Sequence, residues 1–288
     1  MLKKLLFLCL LMPTLVWAKG AQDNPCDELA EIADFERVLA CIESLQTASQ
    51  AQQQQIQTQQ AEIQQLKSEQ QAMKMRLSLA DGLVAYYPFD GNANDLSGNG
   101  NHGVVNGAAL TTDRFENASS AYQFDGNDDH ILIGNSDSLN IDHRLTIGVW
   151  IKKEVNKSYS GLVGKDWSGY SFMFDKTGNK LKLELAHGSE KNYVSFSDSH
   201  TIGNNTWYHA VVVLSALNNN TNKVTFYVNG QKGSEKSTPY SDLADMPEMY
   251  IGYEGCCGDR YFKGIIDDVR IYNRALTEPE IQSLYKQR

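Results

Sequence analysis

The sequence predicts an all-β protein, an antiparallel two-sheet jelly-roll sandwich, preceded by an N-terminal α-helical coiled-coil segment. Two observations carry this. Beyond Gly82 the chain breaks into short alternating runs, among them LTIGVWIKK (145–153), WYHAVVVLS (207–215) and KVTFYVNG (223–230). Turn signals such as Lys176-Thr177-Gly178-Asn179 and Asn229-Gly230 separate them. Strands without intervening helices close into packed antiparallel sheets. Before Gly82, by contrast, residues 25–80 contain no Gly or Pro after Pro25 and follow a helical period.

The first element is a leader. Lys3 and Lys4 precede an apolar run from Leu5 to Val16, and Val16-x-Ala18 is a small-residue cleavage pattern. Residues 1–18 therefore read as a secretory signal peptide, too short to span a bilayer. No later run is apolar enough to do so. The mature protein is expected to be exported, to the medium, the periplasm or the cell surface, where disulfides are permitted.

Residues 25–80 form the expected stalk. Asn24-Pro25 supplies an N-cap and a first-turn proline. A seven-residue repeat starts at Phe35, with Phe35, Ile42, Ser49, Ile56, Ile63, Gln70 and Leu77 at its a positions. Val38, Leu45, Gln52, Gln59, Leu66, Met73 and Ala80 occupy d. This register argues for self-association as a coiled coil, dimer or trimer. Cys26 and Cys41, 15 residues apart, would lie about 22 Å apart on one straight helix, beyond disulfide reach. Either the helix breaks between them or they bond between chains.

Residues 82–288 form the sandwich, closed by LTEPEIQSLY (276–285). Thr277 and Glu280 form a capping box there, and Leu276 with Ile281 a hydrophobic staple.

Composition narrows the function. A formal net charge of -9 and a pI near 5.2 argue against nucleic acid as partner. No pair of acids alternates on one strand face as retaining glycosidases require. Glu184 has no second acid two residues away, and the six histidines make no metal-ligand spacing. No catalytic residue is assigned. His209 reads as an ordinary strand histidine.

Several ordered pieces resemble the bacterial laminin-G-like, concanavalin A-like lectin/glucanase jelly roll over about residues 82–286. They are VAYYPFDGNANDLSGNGNHG, AYQFDGNDDHILI, LTIGVWIK, WYHAVVVL, VTFYVNG and FKGIIDDVRIYNRALTEPEI. The resemblance implies a two-sheet sandwich, a bound calcium, and carbohydrate or protein binding outside the cell.

The loop DGNANDLSGNGNHG (90–103) is dense in short oxygen-bearing side chains. Calcium takes six to eight oxygen ligands, and a single loop seldom supplies them all. The expected partner is GIIDDVRIY (264–272). Strict alternation would place Asp267 on the apolar face with Ile265, Val269 and Ile271, where a carboxylate needs a partner. The expected calcium ligands are thus Asp90, Asn92, Asp95 and Asp267, and the resemblance puts Asp267 at the usual calcium position. The second acidic turn, Asp125 to His130, reads as a solvated hairpin turn.

For a ligand site, the candidates are Trp167 and Tyr170 in GKDWSGYS, and Tyr253, Glu254, Asp259, Arg260 and Tyr261 in GYEGCCGDRY. Cys256 and Cys257 would form a strained vicinal disulfide, or each would bond elsewhere, to Cys26 or Cys41 among others. The sequence thus points to an exported, non-catalytic binding protein for carbohydrate. The alternatives are an adhesion or structural protein that binds an envelope protein, and an unusual polysaccharide-cleaving enzyme.

Overall fold

The computed structural model describes residues 35–141, 144–165, 169–187, 192–218, 221–238, 248–255 and 258–287. The expected leader, Cys26, Trp167, Cys256 and Cys257 lie outside the described residues. No described helix is long and apolar enough to cross a membrane.

The chain divides into two units, Met1–Gln71 and Ala72–Arg288. Helix α1 (Phe35–Ala80) is unbroken over 46 residues, as the lack of Gly and Pro requires. In the first unit Cys41 is buried and disulfide-bonded.

In the second unit, one sheet is built from β1 (Leu83–Tyr87), β3 (Ala109–Thr111), β4 (Ala121–Asp125), β6 (Leu145–Lys153), β11 (Tyr208–Asn218), β12 (Thr221–Val228), β13 (Gln231–Thr238) and β15 (Lys263–Tyr272). The order is β13-β12-β11-β6-β15-β4-β3, with β1 also on β15. The other sheet comprises β2 (Val104–Asn106), β5 (His130–Gly134), β7 (Gly161–Lys165), β8 (Tyr170–Phe174), β9 (Leu181–His187), β10 (Asn192–Ser197) and β14 (Met249–Ile251). Its order is β10-β9-β8-β7-β14-β5-β2. All pairings are antiparallel, so the expected sandwich is the observed one.

Alternation generates the core. Ile147, Val149 and Ile151 of β6, Ala210, Val212 and Leu214 of β11, and Ile131 and Ile133 of β5 all enter one apolar cluster between the sheets. Phe89 and Tyr122 meet there edge to face, with centroids 5.0 Å apart.

The outer face of the larger sheet is also covered. Helix α2 (Glu278–Lys286) brings Ile281 and Leu284 against Val211, Val213, Tyr227 and Tyr272. Leu79, in the last turn of α1, joins this second cluster, and Met75 packs on it. The predicted box forms: the Glu280 carboxylate accepts the Thr277 N–H at 2.7 Å. The staple residues Leu276 and Ile281 are both buried in the cluster.

One strand departs from strict alternation. On β15, Asp267 lies opposite Trp150 and Arg270 opposite Gly148, so three steps on one strand match two on the other. This is a β-bulge, and Asp268 occupies its left-handed position at φ 50°. Ile266 therefore faces the core while Asp267 faces out beside Trp150. The expectation that Asp267 shares the face of Val269 and Ile271 is corrected: the extra residue switches sides between them.

Candidate functional site

The outward position of Asp267 defines a polar cluster under α2. Asp267, Trp150 and His209 form one row across β15, β6 and β11. Arg114, from the segment between β3 and β4, lies over this row. Its guanidinium sits 4.6 Å from the Trp150 ring centroid, pairs with Asp267, and reaches Asp268 at 3.1 Å. Burial pushes the Asp267 carboxyl up to about 7, against the opposing pull of Arg114. His209 is buried between Trp150 (5.1 Å) and Tyr285 (6.2 Å). Burial, with Arg270 and Arg114 nearby, lowers its pKa to about 3, so the ring is neutral at pH 7.

The Asn/Asp loop is a self-bonded staple. Asp95 is buried, and its two oxygens accept the N–H groups of Tyr86, Ser97 and Asn101 and the Ser97 hydroxyl, at 2.8–2.9 Å. Asn101 donates to the Val84 carbonyl at 3.0 Å, and its own carbonyl accepts from Tyr87. Asn92 closes an Asx turn on the Asn94 N–H, and Asp90 is exposed.

This arrangement does not fit the expected calcium. Asp95 has its lone pairs taken by hydrogen-bond donors, and Asp267 already faces a guanidinium. Asp90, Asp95 and Asp267 do not converge. Among the described residues the acids that come together are Asp125, Asp128 and Asp129, in the β4–β5 turn. Turn chemistry accounts for that group. Asp125 accepts from Asn127, Asp129 accepts the Asp125 N–H, and the Lys157 ammonium sits on the Gly126 carbonyl.

The predicted ligand residues divide. Tyr170 is not a loop residue. It begins β8 directly after Gly169, is 1% exposed and packs in the core, because its strand alternates inward with Phe172 and Phe174. Glu254 is buried and paired with Arg260, whose guanidinium lies 5.0 Å from the Tyr159 centroid. Burial pushes Glu254 up to about 7, opposed by Arg260. This pair braces the loop. Asp259 is exposed and paired with Lys157.

Tyr253 and Tyr261 do reach the surface together. They pair as a single β-bridge and stack at 4.2 Å with an interplanar angle of 13°. His130 and Tyr250, both outward on neighbouring strands β5 and β14, complete a half-buried aromatic patch. Tyr250 lies 5.5 Å from Tyr253, and His130 5.7 Å from Tyr250 and 6.2 Å from Tyr261. Asp128 and Asp259, each two residues along the chain from a ring of the patch, are exposed. Gly161 permits this geometry, since a Cβ there would fall 2.3 Å from the backbone of Tyr253 and Glu254. His130 and Tyr250 escape a local reading because the patch is assembled from three chain segments.

The family model for the concanavalin A-like lectin/glucanases superfamily matches residues 125–282. This chain belongs to that superfamily. Its concanavalin A-like sandwich is similar to the binding domain of Paraclostridial Mosquitocidal Protein 1, at 23% identity and TM-score 0.59, over 72% of this chain and 52% of that one. It is also similar to domain 4 of AbnA, a GH43 extracellular arabinanase from Geobacillus stearothermophilus solved with arabinotriose. There identity is 20% and TM-score 0.55, over 71% of this chain and 98% of that one. The botulinum neurotoxin serotype G binding domain matches at 16% identity and TM-score 0.54, over 70% and 50%. The chain spans about half the length of these toxin domains, and at such identities the likeness is one of fold. No curated protein sequence matches the chain. Within the concanavalin A-like sandwich, the aromatic patch sits on the outer side of the smaller sheet, away from the α2-covered face.

Proposed function

We propose that this chain is an exported, non-catalytic carbohydrate-binding protein that self-associates through α1. The carrying observation is the patch of His130, Tyr250, Tyr253 and Tyr261. Aromatic faces cover the apolar C–H surface of a sugar ring, and the exposed carboxylates Asp128 and Asp259, two residues along the chain from His130 and Tyr261, supply acceptors for hydroxyl hydrogens. The arabinanase domain solved with arabinotriose has the same fold, which makes arabinotriose a first probe. Catalysis is not part of this reading, because Glu254 and Glu184 are held by Arg260 and Lys182. The leader, and the extracellular arabinanase whose domain shares the fold, support export. Weak sites multiplied on one stalk gain avidity. For the stalk, Ile56, Ile63, Leu66, Met73 and Leu77 are exposed at the a and d positions.

Titration calorimetry with arabinotriose, followed by a glycan array, tests sugar recognition. Tyr253→Ala and Tyr261→Ala should each weaken binding tenfold or more while leaving the fold intact. Unchanged affinity in both variants ends the proposal for this patch. A second reading, an envelope protein as partner, is favoured by Val104 on the sheet-edge strand β2, 59% exposed. Pull-down from an envelope extract, lost in Val104→Lys, would support it.

A further inference from the structure

We infer that α1 is built to associate in parallel and in register with a second copy of this chain, so that every β region follows the same end of the bundle. This rests on the self-association reading above and adds its direction.

The helix surface is divided between two jobs. Met75, Ser78 and Leu79 belong to the face that meets the second apolar cluster and Glu280. Met73 and Leu77 point elsewhere and are 55% and 67% exposed. Ile56, Ile63 and Leu66 continue the same a and d stripe, at 46%, 49% and 64% exposure. These a and d side chains are therefore open to solvent in the single chain.

The charges decide the direction. Counting from Ile56 as a, the charged residues up to Asp81 are Glu62, Lys67, Glu69, Lys74, Arg76 and Asp81. Every one falls at an e or g position, on the two flanks of the seam. Glu62 and Glu69 are at g, and Lys67 and Lys74 at e, five residues further on. Residues five apart on one helix point about 140° away from each other. They are not neighbours within the helix, where only the three- and four-residue spacings meet. In a parallel, in-register pair, each g residue faces the e residue five positions later on the partner. Glu62 then faces Lys67 and Glu69 faces Lys74, in both directions across the seam. Arg76 is also at g, whereas Asp81 follows the last residue of α1 and lies 3.7 Å from Arg274. Antiparallel helices face e with e and g with g, which would set lysine on lysine and glutamate on glutamate.

The test uses the full mature chain carrying Gln59→Cys, a polar d position, under mild oxidation. Parallel, in-register pairing brings the two residues 59 into contact. Antiparallel pairing over the same stripe sets residue 59 beside Leu77 of the other copy, about 27 Å from its own counterpart. The expected result is a covalent dimer joined 59 to 59 by non-reducing peptide mapping. An oligomer by light scattering that forms no such link would overturn the parallel assignment and leave self-association standing. A monomeric wild-type chain would overturn both. As an independent arm, Lys67→Glu/Lys74→Glu and Glu62→Lys/Glu69→Lys should each dissociate alone and reassociate when mixed. Dissociation without rescue on mixing counts against the pairing.

Discussion

Arg114 and Asp267, 153 residues apart in the chain, form an ion pair on the outer face of the larger sheet, with both side chains nearly excluded from water. Removing one partner of a buried pair leaves an uncompensated charge and costs about 3–5 kcal/mol. Arg114→Met should therefore destabilise by that order in urea unfolding. The orphaned Asp267 would rise further above its present value near 7 and take up a proton. The deficit should thus be smaller at pH 5 than at pH 8. Adding Asp267→Asn should recover a good part of it. Equal destabilisation at both pH values, with no recovery in the double variant, would mean that packing and not charge holds Arg114.

The same pair predicts indifference to calcium. A site occupied at one hundred times its dissociation constant adds about 2.7 kcal/mol of stability. In a domain of this size that would raise Tm by several degrees. Because Arg114 supplies the cation at Asp267 and Asp95 is saturated by hydrogen bonds, Tm in millimolar calcium should match Tm in EDTA within about 1 °C. A rise of several degrees would show that the Asn/Asp loop opens to bind the ion.

How far the sequence could be read follows from the physics of each element. The sandwich was legible because period-two alternation and turn chemistry are local. The terminal helix was legible because its box and staple lie within six residues, Leu276 to Ile281. Asp267 was recognised as a charge needing a partner, but the partner is Arg114. Nothing near residue 267 announces it, because pairing β15 beside β4 brings that segment across. The bulge at Asp268 was also hidden, since one extra residue breaks alternation without changing composition. Tyr253 and Tyr261 were visible as loop aromatics. Their companions His130 and Tyr250 were not, because only the β14–β5 pairing joins them.

His209 gives a prediction with a definite sign. Its pKa falls from 6.5 to about 3, by burial first and then by Arg270 and Arg114. Between those values the unfolded chain binds a proton that the native chain does not. Its contribution to stability is therefore lost as pH falls below 6.5, by about 1.4 kcal/mol per pH unit. His209→Phe keeps a ring between Trp150 and Tyr285 and removes the titration. The variant should gain on the wild type by that slope from pH 6.5 down to pH 4. It also removes a buried Nδ1 that has no hydrogen-bond partner among the described residues. Parallel stability curves for the two proteins would show that His209 reaches water.

Glu280 ties three segments together. It closes the cap of α2, pairs with Arg274 at 2.7 Å, and accepts from Ser78 in the last turn of α1. Burial alone would raise its pKa, but the hydrogen bonds from Arg274, Ser78 and Thr277 outweigh it and hold the carboxyl down at about 2. A depressed carboxylate contributes stability that is complete above its unfolded value, 4.5, and is lost as pH falls from there through 2. Glu280→Gln should cost about 3 kcal/mol at pH 7, since Arg274 then lacks its buried partner. That cost should shrink steadily below pH 4.5, because the wild type is losing the same charge. Ser78→Ala should cost less, about 1 kcal/mol, at the price of one hydrogen bond. Urea unfolding at pH 7, 4 and 2.5 measures all three proteins. A Glu280→Gln penalty independent of pH would mean that shape, not the carboxylate charge, joins the terminal helix to the end of α1.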